Sequence, residues 1–376
     1  MIPFIDLQSQ RARIAERVDA AIARVLQHGQ YIFGPEVRAF EAKLAAFCGA
    51  KHCVANANGT DALVLPLWAW GLGAGDAVFC PSFTFAATAE IVPWTGATPV
   101  FVDVLPDTYN MDPASLEAAI EGVKREGRLS PRVVIAVDLF GQPADYPKIA
   151  AIAKKHGLKL IADSAQGFGC TLDGKHPMHW ADATTTSFFP AKPLGCYGDG
   201  GATLSNDDAD TTLMRSIAFH GASGDDKYNC ARIGMNSRLD TIQAAILLEK
   251  LAIFDEEIRL RNEVATRYEQ MLSNLVKTPR VIAGGVSTWA QYTIEVENPD
   301  GLGAHLRAAE IPTARYYPKP LHVQSAYREF PIGAGGMKVS EDIAKRVISL
   351  PMHPYLEETT QENIAGAIRE FVTAGG

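Results

Sequence analysis

Lys192 stands in the run Ser187-Phe188-Phe189-Pro190-Ala191-Lys192-Pro193-Leu194-Gly195, and Gly198-Asp199-Gly200-Gly201 follows closely. Most lysines are solvated surface charges. This one sits in a proline-flanked, glycine-rich loop directly after a short apolar run, a stiff setting that suits an amine held at one place. The glycines do not spell GxGxxG and no ribose-binding acid is evident, so a dinucleotide site is rejected. Asp163, in Ile161-Ala162-Asp163-Ser164-Ala165-Gln166, follows another apolar run. Ligands of open α/β sheets bind at the carboxyl ends of strands. A carboxylate there can keep a pyridine nitrogen protonated, or it can simply cap the next helix. The pair Gly59-Thr60, opening a helix after Asn56-Ala57-Asn58, offers free N–H groups, a hydroxyl and a positive dipole end to a phosphate. An ordinary turn with an N-cap reads the same way. In Gly234-Met235-Asn236-Ser237-Arg238-Leu239-Asp240, Asn and Arg suit an oxyanion, and capping of the following helix is the alternative.

These residues need a scaffold, and the hydrophobic pattern supplies one. Strand-length apolar runs recur at 77–79, 98–102, 133–139, 159–162, 184–188 and 202–204. Helical patterns alternate with them at 61–70, 85–95, 113–126 and 146–156, after amphipathic helices over 7–28 and 35–47. Such alternation predicts an α/β sheet covered on both faces. A single long amphipathic helix is expected from about 239 to 275. Beyond it, strands at 291–296 and 313–317 and helices at 303–309 and 361–373 form a smaller α/β unit. The expected division is 1–248 for the large domain and 249–376 for the small one.

At 376 residues the chain is long for one core, and its 47% hydrophobic content is that of an ordinary globular protein. A net charge of −8 argues against a nucleic-acid surface, though not against a locally held phosphate. The six cysteines lack CxxC or zinc spacing and read as reduced thiols, with no metal site implied. The N-terminal segment has no apolar signal run, and the apolar stretch 62–75 is too short to span a bilayer. The expectation is a cytoplasmic protein without a membrane partner.

Taken together and in this order, the motifs resemble those of the DegT/DnrJ/EryC1/StrS sugar aminotransferases, from Phe4-Ile5-Asp6-Leu7 to Leu350-Pro351-Met352-His353-Pro354. The resemblance implies an aspartate-aminotransferase-like fold of type I, with a large mixed-sheet domain and a smaller C-terminal α/β domain. It implies pyridoxal 5'-phosphate as cofactor and Lys192 as its Schiff-base lysine. By the same resemblance Asp163 pairs with the pyridinium nitrogen, Gln166 lies near the phenolic oxygen, and Gly59, Thr60 and Ser187 hold the phosphate. Phe85 matches an aromatic stacked on the ring, with a buried core Phe as the alternative. Asn236 matches an asparagine that reaches the neighbouring subunit's cofactor, which implies a homodimer with shared active sites. Related dehydratases carry histidine in place of the lysine, so Lys192 favours amine transfer.

Ser187 to Gly201, Asn236 to Leu251 and Leu350 to Leu356 look closest to enzymes that aminate C-3 of a UDP-2-acetamido-3-oxo-hexuronate for surface polysaccharides, with glutamate as donor. An arginine can grip the uronate carboxylate in bidentate fashion. Arg238 is the first candidate, with Arg232 and Arg315 behind it. His220, Tyr316 and Tyr317 lie where the family contacts sugar or nucleotide; a core histidine is the alternative for His220. Tyr316 replaces a histidine found in many relatives, and Ala162 replaces a common acid. Two other readings are a C-4 aminotransferase of a UDP-, GDP- or dTDP-linked 4-keto-6-deoxy sugar and a regulatory protein of the same fold without turnover.

Overall fold

In the computed structural model, residues 2–223 and 226–375 are described. Seven strands form one mixed sheet: β1 (His52–Asn56), β2 (Asp76–Pro81), β3 (Thr98–Val102), β4 (Ser130–Val137), β5 (Lys159–Asp163), β6 (Ala183–Ser187) and β7 (Gly201–Ser205), in the order β1-β7-β6-β5-β4-β2-β3. The pairings from β6 through β3 are parallel; β7 runs antiparallel to both β6 and β1. Register aligns Asn56 with Gly201 and Gly201 with Ser187, so these three residues form a row at the carboxyl ends of β1 and β6. The apolar runs became strands because both sheet faces are covered and each strand is buried along most of its length. Pro131 has no N–H to give to β2, and the register shifts by one residue beside it.

Helices cover both faces. They are α1 (Leu7–Arg13), α2 (Ala15–His28), α3 (Pro35–Cys48), α4 (Gly59–Ala69), α5 (Ala87–Trp94), α6 (Pro113–Glu126), α7 (Tyr146–His156), α8 (Asp208–Ala218) and α9 (Thr241–Leu251). One core joins Phe79, Val134, Leu116, Ile120, Tyr146 and Ile149 between the sheet and α6 and α7. Another sets Phe40, Leu44, Phe188, Leu204, Ala244 and Leu247 between the sheet, α3 and α9. A separate core lies beyond: α10 (Phe254–Leu272), β8 (Tyr292–Glu295), α11 (Pro299–Ala308), β9 (Val347–Leu350) and α13 (Glu358–Thr373) pack through Tyr268, Ile294, Leu306, Ile348 and Ile364. β8 and β9 pair antiparallel, and α12 (Lys338–Arg346) leads into β9. The N-terminal segment lies on this second core through Ile2, and Phe4 accepts a backbone hydrogen bond from Met352.

Several elements differ from expectation. β1 is a strand where no element was expected, because its four buried residues, Cys53 to Asn56, show no alternation. The long helix is two helices: Ile253 leaves the helical path, and Asp255, Glu256 and Glu257 open α10 where its dipole favours acids. The first helix likewise breaks at Ile14. The stretch 313–317 forms no strand. Pro312 and Pro318 bracket it, and only Ala314 bridges to Ser349. Cys48, Cys53, Cys80, Cys170 and Cys196 are buried free thiols, and Cys230 is exposed. No helix among the described residues is long and apolar enough to cross a membrane.

Two histidines are folded into the interior as neutral rings. Burial pushes His176 down to about 3 and His353 down to about 4, from 6.5. A depressed pKa means their stabilising contribution is complete above 6.5 and is lost as pH falls toward the folded values. Chemical denaturation at pH 7.5 and 5.5 should find the protein less stable at the lower pH, by at most about 1.4 kcal/mol per histidine per unit below 6.5. A His176→Asn variant should show a shallower loss; an unchanged slope would locate the pH dependence elsewhere.

Candidate active site

The carboxyl ends of β1, β5 and β6 meet at one edge, and the loops leaving them build the site. Asp163 ends β5 and is buried. Its Oδ2 accepts from the Thr88 hydroxyl (2.8 Å), whose oxygen lies 3.1 Å from the Thr84 hydroxyl, and its Oδ1 accepts from Ala165 N–H (3.2 Å). Burial raises the Asp163 carboxyl, and Thr88, Ala165 and the Lys192 charge oppose that. Lys192 is the counterpart: burial lowers its amine, and the Asp163 charge opposes the shift. The loop is closed by backbone bonds from Lys192 N–H to Phe189 O (2.8 Å) and from Cys196 N–H to Phe188 O (2.7 Å). Gly195 permits that closure, since a Cβ there would lie 2.4 Å from Pro190 O. Behind it, the buried Lys250 donates to Gly195 O (2.6 Å). Among the described residues nothing hydrogen-bonds the Lys192 amine.

A second group forms an anion cradle. Asn58 caps α4 by accepting from Asp61 N–H (2.8 Å), which leaves the first N–H groups, at Gly59 and Thr60, facing outward from the helix start. A Cβ on Gly59 would lie 2.6 Å from the Ser187 Cβ, so the helix start rests directly on Ser187. A Cβ on Gly201 would lie 2.3 Å from Asn58 O, which explains glycine in the middle of the row. The Ser187 oxygen accepts from Phe189 N–H (3.3 Å), while its own hydrogen and that of Thr60 find no partner among the described residues. Capping falls to Asn58, so Gly59, Thr60 and Ser187 keep donors that an anion could use.

Gln166 is buried with its carboxamide fixed in one sense. Oε1 accepts from Phe140 N–H (2.8 Å), and Nε2 donates to the Tyr317 hydroxyl (2.9 Å). Phe140 takes φ 61° to aim that N–H, a conformation costly for a non-glycine residue. Phe85 is 55% exposed, which excludes a core role, and its ring lies 6.4 Å from that of Tyr317. Tyr316 packs beside Tyr317 (5.6 Å) and Phe4 (6.4 Å), and the bond between the two tyrosines is cis. Lys192 and Asp163 thus lie within charge range of each other, Gln166 and Phe85 both meet Tyr317, and Ser187 with the Gly59 helix start lies at the end of the neighbouring strand.

Asn236 and Arg238 lie apart from this group but line one cleft with Ala57, Gly198 and Asp199. Ser237 between them accepts from Ala57 N–H (3.1 Å). Asn236 is exposed, and its side chain has no partner among the described residues. Arg238 lies 5.8 Å from the rings of both Phe33 and Phe219, with no hydrogen bond or ion pair among the described residues. Arg232 and Arg315 are engaged: Arg232 bonds the Ser216 hydroxyl, and Arg315 bonds Asp300 and Ala344 O. His220 is exposed, so a core role does not apply. The sequence reading missed Thr88, Asp138 and Phe140. A carboxylate at the end of β4 was a readable signal for Asp138; the other two carried none.

The residues present fit a phosphorylated pyridine aldehyde: Lys192 would offer an amine to its carbonyl, Asp163 a carboxylate to its ring nitrogen, and Gly59, Thr60 and Ser187 donors to its phosphate. Comparison with known proteins agrees. The model of the DegT/DnrJ/EryC1/StrS aminotransferase family matches residues 12–369. The chain is 49% identical over 371 residues to the UDP-2-acetamido-2-deoxy-3-oxo-D-glucuronate aminotransferase of Pseudomonas aeruginosa, covering 98% of this chain and 99% of the other. The crystal structure of a DegT DnrJ EryC1 StrS aminotransferase from Brucella abortus superposes with TM-score 0.97 at 54% identity, over 99% and 100% of the two chains. NtdA from Bacillus subtilis, solved with bound cofactor PMP, superposes with TM-score 0.85 at 27% identity, over 98% and 83%. Gly59→Ala should force the helix start off Ser187 and weaken pyridoxal-phosphate binding about tenfold or more. Fluorescence titration of the apo-protein measures this, and unchanged affinity would remove the cradle from this segment.

Proposed function

The chain belongs to the DegT/DnrJ/EryC1/StrS aminotransferase family, and from that premise we propose that it transfers an amino group from glutamate to C-3 of UDP-2-acetamido-2-deoxy-3-oxo-hexuronate. It is a pyridoxal-phosphate-dependent sugar aminotransferase. The observation that carries the reading is the burial of the Lys192 amine opposite the Asp163 carboxylate at the carboxyl edge of the sheet. When bound, pyridoxal phosphate supplies an electron sink for the carbon from which a proton departs.

The chain's own residues do the rest. Asp163, oriented by Thr88, holds a proton on the ring nitrogen. Gln166 would offer its remaining N–H to the ring oxygen, and the exposed Phe85 ring would cover the ring face. Gly59, Thr60 and Ser187 bind the phosphate through helix N–H groups and hydroxyls. The Lys192 amine, whose proton affinity burial reduces, carries the proton between the donor's α-carbon and the cofactor carbon that bears the nitrogen. Because the amino group is parked between the two half-reactions, the kinetics are ping-pong.

Asn236, exposed and without a partner among the described residues, reaches the phosphate site of a second copy, so the working unit is a homodimer with shared sites. Arg238, with its N–H groups unspent, takes the uronate carboxylate, while His220, Tyr316 and Tyr317 contact sugar or nucleotide. The setting is the cytoplasm, where the product feeds a surface polysaccharide such as O-antigen.

The purified protein should show a visible cofactor band that bleaches on adding glutamate. Lys192→Ala should lack that band and its turnover; unchanged bleaching and turnover in the variant would refute the assignment. Replacing the substrate's C-6 carboxylate by a hydroxymethyl group should cost about a hundredfold in kcat/KM. Arg238→Met should lose most of the discrimination between the two sugars. Wild-type indifference to the carboxylate would leave the transaminase and sink the uronate.

A further inference from the structure

Asp138 follows β4 directly and is fully buried, and no step above employs it. Its Oδ1 accepts from the Tyr146 hydroxyl (2.8 Å) and Ala144 N–H (3.1 Å), and its Oδ2 accepts from the Ser164 hydroxyl. Its own N–H donates to Asp163 O (3.0 Å). A Cβ on Gly167 would lie 2.3 Å from the Asp138 Cβ, so the turn over 163–167 rests on this side chain. Two residues on, Phe140 N–H holds Gln166 (2.8 Å). The segment 138–140 therefore grips both ends of the turn that carries Asp163 and Gln166.

A buried carboxylate costs more than an apolar side chain of similar volume, unless its charge or hydrogen bonds are used. Burial pushes Asp138 up to about 7, with the Asp163 charge adding to that; Ser164, Tyr146 and Ala144 hydrogen bonds oppose it. The titratable groups that face it are Tyr146 from α7, Cys170 from the segment after the turn, and Asp163 from β5.

We propose that Asp138 is a positioning residue for the cofactor ring, which seats the 163–167 turn and adds its negative charge to that of Asp163 in holding a proton on the ring nitrogen. The inference rests on the pyridoxal-phosphate reading. A negative charge near the bound ring favours its cationic forms, so removing that charge should lower the pH at which the visible band changes.

The test uses the cofactor-loaded wild type, Asp138→Asn and Tyr146→Phe, with three readouts: the pH midpoint of the visible band, the Kd for pyridoxal phosphate, and the melting temperature of the apo-protein. Asp138→Asn should lower the midpoint by about half a unit or more and raise Kd about tenfold. Tyr146→Phe removes one donor, leaves Asp138 protonated more often, and should shift the midpoint the same way by less. A lower melting temperature with midpoint and Kd unmoved in both variants would overturn the proposal and leave Asp138 a structural residue. Should Asp138→Asn not fold, Tyr146→Phe decides alone by the same criterion. A wild type that binds no pyridoxal phosphate fails differently, since it overturns the functional reading and this inference with it.

Discussion

Two opposite charges lie within each other's field at the end of a sheet, Asp163 buried and Lys192 largely so, and each makes the other tolerable. Burial alone would drive Lys192 to lose its proton and Asp163 to gain one. The mutual attraction opposes both shifts, and Thr88 and the Ala165 N–H add to it from the carboxylate side. A pair so exposed to desolvation costs needs rigid surroundings, because a small displacement removes the compensation but not the cost. The rigidity is visible on each side. The Lys192 loop is closed by its own backbone bonds and by Lys250 on Gly195 O, and Asp163 ends a strand buried between β4 and β6.

The cradle obeys a different constraint, that of distance. Asn56, Gly201 and Ser187 share one register row, and Gly59 touches Ser187 where no Cβ would fit. Asn58 holds the helix start by capping, so the first N–H groups remain for an anion. The charge pair draws on β5 and β6, and the close backbone approach on β1, β6 and β7, so β6 serves both. The segment after α11 adds a third component: Tyr317 packs with Phe83 and Leu139 and reaches Gln166 from outside the large sheet.

What the sequence disclosed follows from which signals are local. The runs 98–102 and 159–162 became β3 and β5 with little adjustment because apolar runs bounded by breakers report burial directly. Lys192, Asp163 and Gly59 stood in motifs that carry their own geometry, such as strand end, stiff loop and helix start. β1 was invisible, since its strand character comes wholly from pairing with β7 about 150 residues away. The break at Ile253 was hidden because apolar spacing continues across it, and only the acidic triplet after it announces a new start. Thr88 and Phe140 act through contacts that no local pattern encodes.

The placement of β1 also bears on the order of events during synthesis. β1 lies at the edge of the sheet with β7 as its one neighbour, so it has nothing to pair with until residues 201–205 have left the ribosome. Until then the start of α4 lacks both the strand that aims it and the Gly201 backbone beside which it lies. The phosphate end of the site is thus absent from a nascent chain that already contains Lys192. On the proposed assignment, a cofactor aldehyde meeting that lysine early would find no anchor for its phosphate until the sheet has closed.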